Sequence, residues 1–284
     1  MNLLFVGVFD PSSTNYSQRQ YLSDAGFNVF SFPYREVARR EGHEKRDDLL
    51  VKTSEDIGSG VMLISKGNTI SIETVRKCSK NMKTILWYMD TMNNFNSKLI
   101  EKIKACDATV CAWSGPFRAA REHHEKVYHV PEGYDPKVNK PIPIIKEYDV
   151  SFIGKLDGDR PKYVEEVNAV VFKDAFDIQH SVVVSRSRIN INLTRKGGTS
   201  DRVYKVLAAG GFLLTQKWPG MEDEFEAGVD LAVFDDPMDL KGKVGYYLPR
   251  QAVRHRIAEH GRRTVQKYSR AKWAQRIKEI ANEI

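Results

Sequence analysis

The chain reads as an α/β protein in two domains, each a parallel sheet covered by helices. Two observations predict this. Short apolar or β-branched runs (Leu3–Val8, Gly60–Ser65, Thr84–Tyr88, Ala108–Ala112, Val127–Val130) alternate with helical patterns at regular spacing, as in a parallel sheet with both faces buried. The alternation stops at a proline-rich stretch, Pro136–Ile145, and restarts at Asp149-Val150-Ser151-Phe152-Ile153-Gly154. A restart after a linker marks a second domain, and 284 residues suffice for two of ordinary size.

In the first half, the loop Asp10–Thr14 follows the first strand, and a helix from about Tyr16 to Ala25 ends at Gly26. Asn28–Phe32 is the second strand. Arg35–Leu50 is polar and charge-dense, which predicts one exposed helix. Ile72–Lys80, Ser97–Cys106 and Gly115–Glu125 are the remaining helices, and the strand within TILWYMD ends in Asp90.

In the second half, between Gly154 and Ser185, there is room for one short helix and one strand near Ala169–Phe172, which predicts a trimmed sheet. Ile189–Leu193 is a strand, followed by a Gly-Gly-Thr-Ser turn and a helix that begins near Asp201 and stops at Gly210-Gly211. Thr199 or Ser200 is the expected N-cap. Phe212–Thr215 and Leu231–Phe234 are strands, and Pro237–Leu248, Gln251–Gln266 and Arg270–Ile284 are helices.

Composition narrows the function classes. The chain is 41% apolar and 29% charged, and no apolar run approaches the ~18 residues a membrane span needs. The opening MNLLFVGVFD lacks a basic flank and reads as a strand, so a cytoplasmic protein is expected. Cys78, Cys106 and Cys111 have no metal-ligand spacing, and the seven histidines form no zinc pattern. Net charge is +7, yet from Lys241 onward 12 Lys/Arg face 3 Asp/Glu, so the basicity belongs to the last helices. A solvated helical face explains this; an acidic partner such as nucleic acid is the other reading.

The strand–glycine turn–helix order at Ile189–Leu207 aims a helix N-terminus at an anion, usually phosphate. Arg202 and Lys205 are three apart, on one face of the first turn. An ordinary βαβ unit with a solvated basic face has the same residue types.

Several segments, taken in order, resemble glycosyltransferases of the GT-B fold, nearest the group-1-like branch that includes the spore-maturation, CgeB-like proteins. They are DVSFIG (Asp149–Gly154), SRSRININL (Ser185–Leu193), TSDRVYKVLAAGGFLLT, PGMEDEFEAGVDLAVFDD and IAEHGRRTVQKYSRAKWAQRI. In the first half, LISKGNTI, TILWYMD and HVPEGYD match the strand ends and the hinge. The resemblance implies two Rossmann-like domains facing a cleft. Residues 1–135 would form the acceptor side, 136–147 a linker and 148–268 the nucleotide-sugar-binding domain. Residues 269–284 would be a helix crossing back onto the first domain.

It also implies a hexosyl- or pentosyltransferase that uses a UDP- or GDP-linked donor, with no further cofactor and no metal. Arg202 would bind the donor phosphates, with Arg160 a second cation and Lys155 a weaker one in the loop after Gly154. The turn Gly197, Gly198, Thr199, Ser200 would offer backbone N–H groups. Lys205 departs from the pattern, since many relatives place there an acid that holds the donor ribose, and a lysine cannot accept those hydrogen bonds. Either the nucleotide is held differently, or the chain is a non-catalytic nucleotide- or nucleic-acid-binding protein on this scaffold.

Transfer with inversion requires a base for the acceptor hydroxyl. Asp90 and then Asp10, both at strand ends, are the candidates; Asp90 as a helix cap is the alternative. Asp157-Gly158-Asp159 has the form of a metal-binding pair but also of a turn, and the turn is preferred. The acceptor is open; a hydroxylated DNA base, as in phage-type DNA modification, is one variant.

Overall fold

The computed structural model describes residues 1–194 and 198–284. It contains two compact units, one of 1–132 with 270–284, the other of 133–269. No helix of the described residues is long and apolar enough to cross a membrane.

Unit 1 alternates β1 (Asn2–Gly7), α1 (Thr14–Asp24), β2 (Asn28–Pro33), α2 (Tyr34–Glu41), α3 (His43–Ile57), β3 (Val61–Ser65), α4 (Ile72–Cys78), β4 (Lys83–Tyr88), α5 (Ser97–Ala105), β5 (Ala108–Cys111), α6 (Ser114–Arg121) and β6 (Val127–His129). Its six strands lie in the order β2-β1-β3-β4-β5-β6, and every pairing is parallel. The runs Leu3–Val6 and Val61–Ile64 are buried on both faces, which explains why they read as continuous apolar stretches.

The expected single helix over Arg35–Leu50 is two. Gly42 sits between them at φ 86°, a conformation that side chains disfavour, and serves as C-cap of α2 and N-cap of α3. The second helix is not wholly exposed either. Arg46 is fully buried, paired with Asp47 and donating Nη2 to the Thr69 carbonyl at 2.6 Å. A buried guanidinium is tolerated here because its donors are satisfied.

Unit 2 follows with β7 (Tyr148–Ile153), α7 (Arg160–Glu166), β8 (Val170–Phe172), α8 (Asp177–Arg186), β9 (Ser187–Asn192), α9 (Arg202–Ala208), β10 (Leu213–Gln216), β11 (Ala232–Phe234), α10 (Pro237–Tyr247) and α11 (Gln251–Thr264). Its five-stranded parallel sheet runs β8-β7-β9-β10-β11. Two helices, α7 and α8, occupy the stretch where one was expected, because the chain from Asp177 to Arg186 is helical right up to β9.

The last helix, α12 (Arg270–Glu283), belongs to unit 1. It buries Trp273, Ala274, Ile277, Ile280 and Ala281, the i, i+1, i+4, i+7, i+8 face of an amphipathic helix. Trp273 lies 5.5 Å from Trp87 of β4, ring centroid to ring centroid. Lys278 donates Nζ to the Ala25 carbonyl at 2.6 Å, and Arg270 bonds Ser17.

Candidate functional site

In an open parallel sheet, strand order reverses at one point, and the crevice outside the strand ends there is the usual place for a ligand. In unit 2 that point lies between β7 and β9. It is where Gly154, Arg160 and Arg202 converge.

Phe152, the last but one residue of β7, is the floor. The Arg202 guanidinium lies 5.3 Å from its ring centroid and that of Arg160 5.6 Å, both within cation–π range. Arg202 Nη1 donates to Asn192 Oδ1 at 3.0 Å. Asn192 is fully buried, and its amide donates to Thr199 Oγ1 at 3.2 Å and Thr215 Oγ1 at 3.0 Å. One asparagine therefore fixes the cation and the turn before α9 together.

Gly154 makes room for this arrangement. Its φ is 145°, and a Cβ placed there would stand 2.6 Å from Arg202 Nη2. Arg160 Nη1 donates to the Lys155 carbonyl and Nη2 to the Leu193 carbonyl, each at 3.0 Å. It thus ties the loops after β7 and β9 together. Burial pulls its pKa below the ordinary guanidinium value. Lys155 itself is exposed and contributes its carbonyl.

The expected N-cap is displaced. The cap of α9 is Asp201, without a side-chain cap bond, because Thr199 is held by Asn192 and Ser200 offers its carbonyl to Val203. Gly198, Thr199 and Ser200 form the approach to the helix, while Gly197 of the same expected turn lies outside the described residues. With seven residues, α9 carries a small dipole, so the positive potential comes mainly from the guanidiniums. Lys205 pairs with Asp201 at 2.5 Å, the favourable acid-before-base order on a helix, and its charge is neutralised locally.

Buried polar atoms without partners collect around this point. They are Ser200 Oγ, Arg160 Nε and both ring nitrogens of His180. His180 on α8 is 5% exposed and held neutral, its pKa lowered to about 3 by burial and then by Lys205 and Arg202. Such orphaned groups are uncommon in a finished fold and mark places where a ligand or water completes the bonding. Tyr204 of α9 donates to Glu224 Oε2 at 2.5 Å, and burial raises the Glu224 pKa to about 7.

Asp157 and Asp159 are engaged as in a turn. Asp157 lies 3.5 Å from Arg160 Nη1, Asp159 is 3.3 Å from Lys162, and Gly158 between them has φ 57°.

In unit 1 the corresponding reversal is between β1 and β3. Asp10 follows β1 and is exposed. Asp90 follows β4, where Lys66 Nζ bonds its Oδ1 at 2.5 Å and Asn94 donates to Oδ2 at 3.2 Å. It is not a helix cap: the turn of 3₁₀ helix after it is capped by Thr91. Lys66 holds φ 61°, a strained position for a lysine. Lys66 and Asn94 also line a cavity of about 360 Å³ with Ile70, Tyr88, Asn96 and Lys102. Lys102 is buried, bonds the Gly67 carbonyl, and has its pKa lowered to about 8 by burial.

Phe152, Asn192, His180 and Lys66 escaped the sequence reading. A signal did exist for Asn192: in ININ both faces of the strand are buried, so its asparagines are polar residues inside a sheet, which need a purpose.

Residues 143–282, just under half of the chain, match the model of the glycosyl transferase-like family. No curated protein matches the chain by sequence. Among solved structures, HepE of Anabaena in complex with UDP and glucose superposes with a TM-score of 0.78 at 10% identity, over 100% of both chains. Sucrose-phosphate synthase from Thermosynechococcus elongatus gives 0.73 at 11%, over 100% of this chain and 98% of its own. A glycosyltransferase from Rickettsia africae gives 0.68 at 11%, over 99% and 98%. At such identities the likeness bears on the fold, which is that of the GT-B glycosyltransferases.

Proposed function

We propose that the chain transfers a sugar, hexosyl or pentosyl, from a UDP- or GDP-linked donor to a hydroxyl acceptor, as a member of the group-1-like, CgeB-like branch. The observation that carries the reading is the convergence of two guanidiniums over Phe152 at the strand-order reversal of unit 2, with the unpartnered buried Ser200 Oγ just before α9 and the His180 ring on α8. The family match over 143–282 spans that site, and HepE, of the same fold, was solved with UDP and UDP-glucose. Those complexes favour UDP over GDP.

In this reading Arg202 and Arg160 bind the diphosphate and stabilise the charge that grows on it as the glycosidic bond breaks. N–H groups of Gly198–Ser200 take further phosphate oxygens. No metal is required for that task, since two fixed cations supply the charge. Asp90 accepts the acceptor's proton: each of its oxygens has one partner in the structure and a lone pair to spare. Asp10 is the second candidate. Lys155, exposed, and Lys205, paired with Asp201, are minor contributors to donor binding. Three free, buried cysteines fit a reducing compartment, hence the cytoplasm.

Thermal shift with UDP, GDP and their sugars tests the donor half. Stabilisation by one nucleotide is expected, with Arg202→Ala removing it, a loss of about 1.5–3 kcal/mol in binding for a hydrogen bond to a charged group. No stabilisation by any of them would leave the non-catalytic scaffold as the better reading. Asp90→Asn is expected to keep donor binding and lose transfer by a factor of roughly 10²–10⁴; unchanged transfer would remove it as the base.

For the acceptor, the reading of a hydroxylated DNA base rests on the basic surplus beyond Lys241, reduced by the ion pairs that Lys241, Arg263 and Arg276 make within the chain. Sugar transfer onto hydroxymethylated duplex but not onto unmodified duplex is the expected result.

A further inference from the structure

The other end of the unit 2 sheet holds a second concave site. A cavity of about 240 Å³ is lined by Lys146, Arg188, Phe212, Gln251, Arg254 and His255. Lys146 precedes β7 and Arg188 is near the start of β9, whereas Gly154 and Asn192 lie at the opposite strand ends. Five strand steps of about 3.3 Å separate the two sites by roughly 16 Å.

Three cations meet here with little to balance them. Among the described residues, Arg188 alone of the three has a carboxylate at ion-pairing distance, Asp149 at 2.7 Å. Lys146 Nζ donates to the Ser187 carbonyl at 2.9 Å. Arg254, 8% exposed, gives Nη1 to the carbonyls of Tyr247 and Leu248. That contact closes the C-terminal end of α10, a sufficient reason for Arg254 to be present. It gives no reason for Lys146 and Arg188 to gather beside it.

Burial, followed by the neighbouring cations, lowers the pKa of both Lys146 and Arg254, so the charges oppose one another in a partly dry pocket. The first turn of the 14-residue α11 contributes Gln251 and Arg254, and its N-cap, Arg250, makes no side-chain cap bond. Its free N–H groups and dipole add to the positive potential.

We infer that this pocket binds a small, multiply charged anion of the phosphate-ester or pyrophosphate class. The inference stands apart from the sugar-transfer reading. A discrete concavity with one nearly buried guanidinium suits a compact anion; a nucleic-acid duplex is met by cations that protrude.

The test titrates inorganic pyrophosphate, by calorimetry, into the full chain carrying Arg202→Ala, which removes the diphosphate contact at α9. The same titration follows with Lys146→Gln or Arg188→Gln added. Binding is expected in the first, weakened about tenfold or more in each of the others, the size of one lost charge-assisted hydrogen bond. Absence of binding in the Arg202→Ala chain, or equal affinity with Lys146→Gln and Arg188→Gln added, would overturn the proposal. So would binding of a short DNA duplex without binding of pyrophosphate. The two substitutions sit on different segments, so a folding defect in one, seen by circular dichroism, leaves the other to decide.

Discussion

At Gly154 the absence of a side chain determines where a cation lies. A methyl group there would stand 2.6 Å from the end of the flexible Arg202 side chain and 3.3 Å from the buried Phe152 ring, so the guanidinium must move and the ring beneath it must give slightly. Gly154→Ala is expected to lower stability by about 1–3 kcal/mol, the cost of a side chain at φ 145°, and to lower nucleotide affinity as a separate effect. Thermal shift with and without UDP separates the two effects; equal affinity would show that Arg202 does not need its present position.

Glu224 offers a pH test at the same scale. Its folded pKa of about 7 lies above the ordinary 4.5, so the folded state holds a proton that the unfolded state releases. The stability this proton brings is fully present below pH 4.5 and is lost as pH rises through 7, on the order of 3 kcal/mol. Glu224→Gln is expected to flatten that part of the urea-stability profile. His180 acts in the opposite sense, since its lowered pKa makes folding less favourable as pH falls below 6.5. The wild-type profile between 4.5 and 6.5 is therefore flatter than either group alone would make it.

Legibility at the residue scale followed chemistry that stands out from its neighbours. Arg202 and Gly154 were visible as a cation and a glycine in a turn–helix pattern. Phe152 was not, because an aromatic in a buried strand looks the same whether or not two guanidiniums rest on it. Arg46 was misread because its partners at Thr69 lie 23 residues away, and charge density without knowledge of them predicts exposure.

At the scale of elements, the sheets were readable because strands buried on both faces give unbroken apolar runs. Helix boundaries were less so where tertiary bonds decide them. Thr199, a good cap by type, is taken by Asn192, and α9 starts from Asp201 instead. The segment Asp177–Arg186 has valines and serines of modest helix propensity, and its helicity comes from packing, with His180, Ser181, Val183, Val184 and Ser185 all buried. Helix α12 is the element with most at stake. Trp273 is 2% exposed, and Trp273→Ala is expected to cost about 3–5 kcal/mol by the cavity it leaves against Trp87. Urea melts check this; a loss below 1 kcal/mol would mean that α12 is only loosely held.

For the whole molecule, charge was read as a property of the C-terminal stretch, and the structure divides it. Arg270, Lys272, Arg276 and Lys278 are on α12 in unit 1, and the cations from Lys241 to Lys267 are in unit 2. Several are occupied within the chain: Lys241 with Glu166, Arg263 with Glu259, Arg276 with Glu279 and Glu283. A linear tally of charge cannot see this, because it ignores which unit a segment joins and which acid it meets.

The return of α12 to unit 1 also has a consequence for synthesis. Residues 1–132 leave the ribosome long before the helix that covers Trp87, with all of 133–269 to be made in between. At roughly 5–20 residues per second that interval is on the order of ten seconds. Throughout it, the nascent first unit presents an apolar face to the cell, and a chaperone that shields tryptophan-bearing surface would find its substrate there.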